Sequence, residues 1–219
     1  MASDHDDFGQ VLPERVGEEL HAQMVLHIDM HAVITDPIGD FLLEAVPFLS
    51  TLAKSYKALI GIREYLFLRK LQRFLLPLRE VAQQERAAFI AKIEQDKEFR
   101  DRVGMYMVML FDRLDDIDKP QLVARAFKAF LRQEINLETF QRMATAIERC
   151  ALADFPHLRK LEVNQAAQLP APVASSLYLS GLTELASVLP IGRPGALNKF
   201  QLSDFGRQFI EVVLDSERS

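Results

Sequence analysis

Three groups of side chains combine reactive residue types with a spacing that suits chemistry. The first is His27-Ile-Asp29-Met-His31. On a helix the two imidazoles share a face and suit a transition metal, with Asp29 pointing elsewhere; on a strand all three share a face. A catalytic metal centre needs another ligand brought in by a second element, and nothing nearby completes a known metalloenzyme spacing. No metal and no cofactor are therefore expected, and His27, Asp29 and His31 stand only as first candidates for a hydrolase or nuclease with dispersed catalytic residues. The second group, Asp112, Asp115, Asp116 and Asp118, lacks the central glycine and terminal glutamate of an EF-hand loop. Asp118-Lys119-Pro120 reads instead as a helix start with Asp118 as cap. Nucleophile elbows, glycine-rich phosphate loops and HExxH are absent, so an enzyme is not the leading expectation.

The third group is cationic. Over residues 62–76, Phe67, Leu68, Leu71, Phe74, Leu75 and Leu78 fall within an arc of about 120° on a helical wheel. Arg63, Arg69, Lys70 and Arg73 occupy the opposite arc, with Leu66 among them. Such a face suits an anionic membrane surface, an acidic protein partner or, less favoured, a nucleic-acid backbone. The plainer reading makes the apolar arc core and the basic arc a solvated face, neutralised by the protein's own acidic leader. Charge is distributed unevenly enough for either. Residues 1–51 carry ten acidic side chains against Arg15, a net −9, whereas residues 52–80 carry seven basic against Glu64 and Glu80, a net +5.

Helical periodicity dominates the elements that must position these groups. Asp36-Pro37 opens a helix over about 37–46, and the basic helix ends or kinks at Pro77. A second amphipathic helix over 79–95 turns Val81, Phe89 and Ile93 inward. Three more follow, striped by Phe99–Leu114, by Leu122–Leu131 behind Asp118, and by Phe140–Ile147 behind Asn136. Short connections favour antiparallel packing. Residues 163–172 read as a linker. Beyond them a helix stopped by Gly181, paired strands around Pro190–Gly195 and a last helix capped by Ser203 outline a helix–hairpin–helix.

The expected fold is therefore mainly α: a multi-helix bundle over 14–162, an acidic leader over 1–13, and a small winged-helix-like module within 163–219. At 219 residues, 49% hydrophobic and 26% charged, the chain has ordinary globular composition. The single cysteine, Cys150, and the lack of a signal peptide or an apolar span fit a cytoplasmic protein, peripheral to a membrane if the basic helix meets lipid. A homo-oligomer is equally compatible, because a bundle's apolar arcs look alike whether buried within a chain or between chains.

Pro47-Phe-Leu-Ser-Thr-Leu-Ala-Lys-Ser-Tyr-Lys, Ile62-Arg63-Glu64-Tyr65-Leu66-Phe67 and Lys70-Leu71-Gln72-Arg73-Phe74-Leu75 together resemble a group of uncharacterised bacterial helical proteins. Leu114 to Arg149, with Lys119 at a helix start and Ile135-Asn-Leu-Glu-Thr-Phe140, is similar to that group's second half. The closing hairpin and Leu202-Ser-Asp-Phe-Gly206 look like the terminal module of bacterial abortive-infection alpha-type proteins. The resemblance implies a role in phage defence or a stress module and brings no catalytic residues with it. Ser50, Lys54 and Lys57 replace a glycine- and valine-rich segment of the group, which argues against membrane insertion. The leading expectation is a non-enzymatic binding protein acting through the basic helix. A DNA-binding regulator using the terminal module is the alternative, although 174–180 carries no Lys or Arg.

Overall fold

Asp36-Pro37 does open a helix in the computed structural model: α1 (Pro37–Glu44). Pro37 takes the first helical position, where a missing N–H removes no bond, and the Asp36 carboxylate accepts from the Ile38 amide at 3.0 Å. The structure describes residues 33, 35–44, 62–187 and 199–215. The acidic leader, His27, Asp29, His31, Pro47 and the loop 190–195 lie outside the described residues.

The basic helix is α2 (Ile62–Leu78), with Pro77 in its last turn. The next helix, α3 (Gln83–Glu94), starts four residues later than its periodicity suggested. After Pro77 the amides of Arg79, Glu80 and Val81 bond back three residues, to Leu76, Pro77 and Leu78, so the chain forms a tight turn with Val81 buried. Asp96 begins α4 (Lys97–Arg113) by accepting from the Phe99 amide. Then come α5 (Lys119–Leu131) and α6 (Leu137–Arg149), the latter capped as expected by Asn136, which accepts from the Thr139 amide at 2.8 Å.

The stripes read from the sequence meet in one core. Helix α5 lies between α2 and α6, and Phe127 sits at its centre. The Phe127 ring lies 5.4 Å from Phe74, 5.7 Å from Phe89, 5.8 Å from Phe130 and 5.5 Å from Phe140, all edge to face.

The C-terminal part runs α7 (Pro156–Asn164), β1 (Ala166–Ala167), α8 (Ala171–Leu179), β2 (Thr183–Ser187), β3 (Lys199–Leu202) and α9 (Asp204–Phe209), which continues as a π-helical turn over Ile210–Leu214. The expected helix–hairpin–helix is present, with Ser203 accepting from the Gly206 amide at 2.9 Å. The expected linker, however, holds a strand and the start of α8. Ala166 and Ala167 pair with Gln201 and Phe200, giving an antiparallel sheet in the order β1-β3-β2. Two alanines carry no strand signal of their own; the exposed edge of β3 recruits them. Gly206 must be glycine, because a Cβ there would meet the Leu182 carbonyl oxygen at 2.0 Å. The terminal segment closes on the bundle, where Arg125 donates to the Val213 carbonyl at 3.1 Å and one apolar cluster extends from Val33 to Val213.

Candidate functional site: the basic helix face and an apolar cleft

Of the four cations that the sequence places on one arc of α2, three have described side chains, and each of them has its own partner. Lys70 folds over the C-terminus of α4, its Nζ donating to the carbonyls of Phe111 at 2.8 Å and Leu114 at 2.6 Å. Burial pulls its pKa below the ordinary lysine range, while Asp112 and Asp115 pull it back up. Arg73 lies 3.6 Å from Asp118. Arg69 reaches Gln72 at 3.4 Å. The side chain of Arg63 lies outside the described residues. The basic arc and the acidic run 112–118 are thus partners across the α4–α5 turn, two features that look independent in the sequence.

That pairing also corrects the expected cap of α5. Asp118 makes no capping bond with its side chain, which faces Arg73; its own amide is held by Asp116 at 2.8 Å. The first residue of α5, Lys119, is 1% exposed and bonds Asp115 at 2.6 Å and the Glu148 carbonyl near the end of α6 at 2.8 Å. The hydrogen bond from Lys119 is the main cause holding the Asp115 carboxyl below the usual aspartate range. A carboxyl lowered by folding adds stability above its unfolded pKa and loses it as pH falls through the folded one. In an NMR pH titration Asp115 is expected to ionise below an ordinary aspartate, and to move up toward it in Lys119→Met.

His27 and His31 lie outside the described residues, which themselves hold no group of three His, Cys, Asp or Glu placed to bind a metal. Cys150 is fully buried at the end of α6, with Sγ 3.0 Å from the Ser180 hydroxyl.

A different site emerges where four helices and a connection meet. Phe89 and Ile93 from α3, Phe99 from the first turn of α4, Phe130 from the end of α5, Ile135 from the α5–α6 connection and Leu137 from the start of α6 line a cleft of about 540 Å³. The Phe89 and Phe130 rings meet edge to face at 5.3 Å on its wall. Its polar residues, Lys92, Asp96, Gln133, Glu134 and Asn136, are all exposed and so form the mouth. An apolar concavity of this size with a few polar groups is the usual form of a small-ligand site, whose volumes run to roughly 300–1,000 Å³.

The mouth also carries backbone strain. Helix α5 ends in a Schellman turn, with the Glu134 amide on the Ala129 carbonyl at 2.9 Å and the Gln133 amide on the Phe130 carbonyl at 3.0 Å. The residue that must turn left-handed there is ordinarily glycine, and here it is Gln133 at φ 62°. Its carboxamide oxygen accepts from Lys92 at 3.2 Å across the mouth. Gln133→Gly is expected to raise stability by about 1 kcal/mol, since glycine adopts this conformation without the Cβ clash. Thermal and urea unfolding of the two proteins checks this.

Sequence reasoning placed the aromatic walls of the cleft in core stripes and missed the space between them. One signal was visible: Arg132-Gln133-Glu134 joins two helices without the glycine that such a connection favours.

No family model, curated protein or solved structure matches this chain. Among the described residues, no helix is long and apolar enough to cross a membrane.

Proposed function

We propose that this chain works by binding, and that the cleft between α3, α4 and the α5–α6 connection is its binding site. One observation carries the reading: apolar walls drawn from four helices and a connection line the space, while every polar residue of the site is exposed and stands at its mouth. Burial of an apolar group there releases water from aromatic and aliphatic surface, and the mouth orients what is bound. In this reading Lys70 serves the fold, through the Phe111 and Leu114 carbonyls that it bonds. A phage-defence or stress setting, implied by the sequence resemblance, would then depend on what the cleft recognises.

Toluene titrated into the isotopically labelled protein is the test. Resonance shifts are expected to concentrate at Phe89, Phe99 and Phe130, and to disappear in Leu137→Trp, whose indole fills the cleft. Unfolding curves of the variant confirm that it remains folded. Shifts spread over the surface, or unchanged in a folded Leu137→Trp protein, would refute the cleft as the site.

A further inference from the structure

We infer that the groove between α6 and the end of α8 docks a partner protein through an acidic segment that also carries an aliphatic side chain. The groove shares no residue with the apolar cleft, and the inference stands whether or not the cleft binds. Charge, spacing and exposure carry it.

Arg142 and Arg149 of α6 line a concavity of about 270 Å³, bounded opposite by Leu179 and Ser180 at the end of α8 and by Phe205 of α9. Elsewhere Arg73, Arg86, Arg113, Arg159 and Arg207 each pair with a carboxylate. Among the described residues Arg142 and Arg149 pair with none, although Glu138, one turn before Arg142, lines the same groove. The Arg142 guanidinium lies instead over the Phe205 ring at 4.7 Å, which holds it at the groove without neutralising it. Two exposed guanidiniums against one carboxylate leave the groove net positive.

Spacing then favours a segment of chain over a single small anion. Seven residues of helix set the two arginines about 10.5 Å apart along the axis. The pair therefore suits two carboxylates carried on one chain. Gln141 lines the groove with a carboxamide that has no partner among the described residues and can both donate and accept, as a peptide backbone does. A phosphodiester backbone cannot donate to it. Two cations beside a carboxylate are also few for the counterion release that drives nucleic-acid binding.

Exposure supplies the apolar half. Leu179 lines the groove and is 76% exposed. A ligand of carboxylates alone would leave that side chain in water, whereas an aliphatic side chain beside them covers it. Arginine, moreover, is enriched among the residues that dominate binding at protein interfaces.

Three labelled peptides of equal length are titrated into the full chain: one of glutamate and leucine, one of glutamate and serine, one of lysine and leucine. The glutamate–leucine peptide is expected to bind tightest, about fivefold tighter than its serine counterpart, the worth of one partly covered aliphatic side chain. Leu179→Ser should erase that advantage. Arg142→Gln and Arg149→Gln are each expected to weaken the acidic peptides about threefold, as solvated ion pairs do. Arg142→Glu/Arg149→Glu should lose them and take up the lysine–leucine peptide instead. Both arginines are exposed, so these proteins should keep the parent's melting temperature and its toluene response. Should the reversed protein melt early, the single glutamine variants decide. Acidic-peptide binding that survives in a folded reversed protein, or in both glutamine variants, overturns the inference. A serine peptide that matches the leucine one overturns it too, as does an equally charged single-stranded oligonucleotide that binds as tightly. If toluene still shifts Phe89, Phe99 and Phe130 while no peptide binds, the groove reading falls and the cleft stands.

Discussion

Arg86→Met is expected to remove about 3–5 kcal/mol of stability, because it leaves a buried carboxylate without its cation. Arg86 lies on α3 with its side chain 9% exposed, and its guanidinium pairs with Asp36 at 2.9 Å. The same group donates to the carbonyls of Leu78 at 2.7 Å and Val81, in the turn that follows α2. Three segments therefore converge on one cation: the N-terminus of α1, the end of α2 and the body of α3. Methionine fills much of the space but satisfies none of these acceptors, and of its partners among the described residues Asp36, with a 5% exposed side chain, keeps the Ile38 amide. The double variant Asp36→Asn/Arg86→Met should lose clearly less than the two single losses added together, since the asparagine no longer carries a stranded charge. Urea unfolding of the four proteins measures this. A loss below about 1 kcal/mol for Arg86→Met would place the pair in the range of solvated surface bridges and contradict its burial.

A loss of similar size, about 3–5 kcal/mol, is expected for Phe127→Ala. Phe127 is 1% exposed and touches Phe74, Phe89, Phe130 and Phe140, so its removal opens a cavity walled by rings from α2, α3, α5 and α6. Two of those rings, Phe89 and Phe130, also line the cleft, which makes Phe127 the support behind the binding wall. Phe127→Ala is therefore expected to weaken toluene binding as well as stability. Phe127→Leu, which keeps most of the volume, should cost far less, on the order of 1 kcal/mol. Unfolding curves and toluene titrations of both variants read the two effects separately. If Phe127→Ala loses its stability yet binds toluene unchanged, the cleft wall does not depend on the core behind it.

Cations resting on helix C-termini recur through the fold. Lys70 covers the end of α4, Arg86 the turn after α2, Lys119 the end of α6, and Arg159 the Leu214 carbonyl at 2.8 Å. Each satisfies carbonyls that a helix leaves unpaired at its end, and each sits where the helix dipole is negative. Glycine performs this task locally in many helices. Here long side chains from neighbouring elements do it, so helix ends are tied to one another as well as capped.

Local order in the chain accounts for the helices, because what makes them is local. Apolar residues at three and four, Asp36-Pro37, Asn136 and Ser203 act within a turn or two of themselves, and α1, α4, α5, α6 and α9 follow from them. The mainly α class and the closing hairpin were legible for the same reason. Pairing across distance was not. Nothing near Lys70 in sequence announces the carbonyl of Phe111, forty-one residues away, and nothing near Ala166 announces β3. The wheel of α2 shows which residues share an arc; packing against the α4–α5 turn decided that Lys70 would bond the carbonyls at the end of α4 and that Arg73 would face Asp118. The cleft belongs to the same category. Phe89, Phe99 and Phe130 each look like ordinary core, and a concavity exists only because four helices and a connection meet with space left between their side chains, a property of distances between elements that no local pattern encodes.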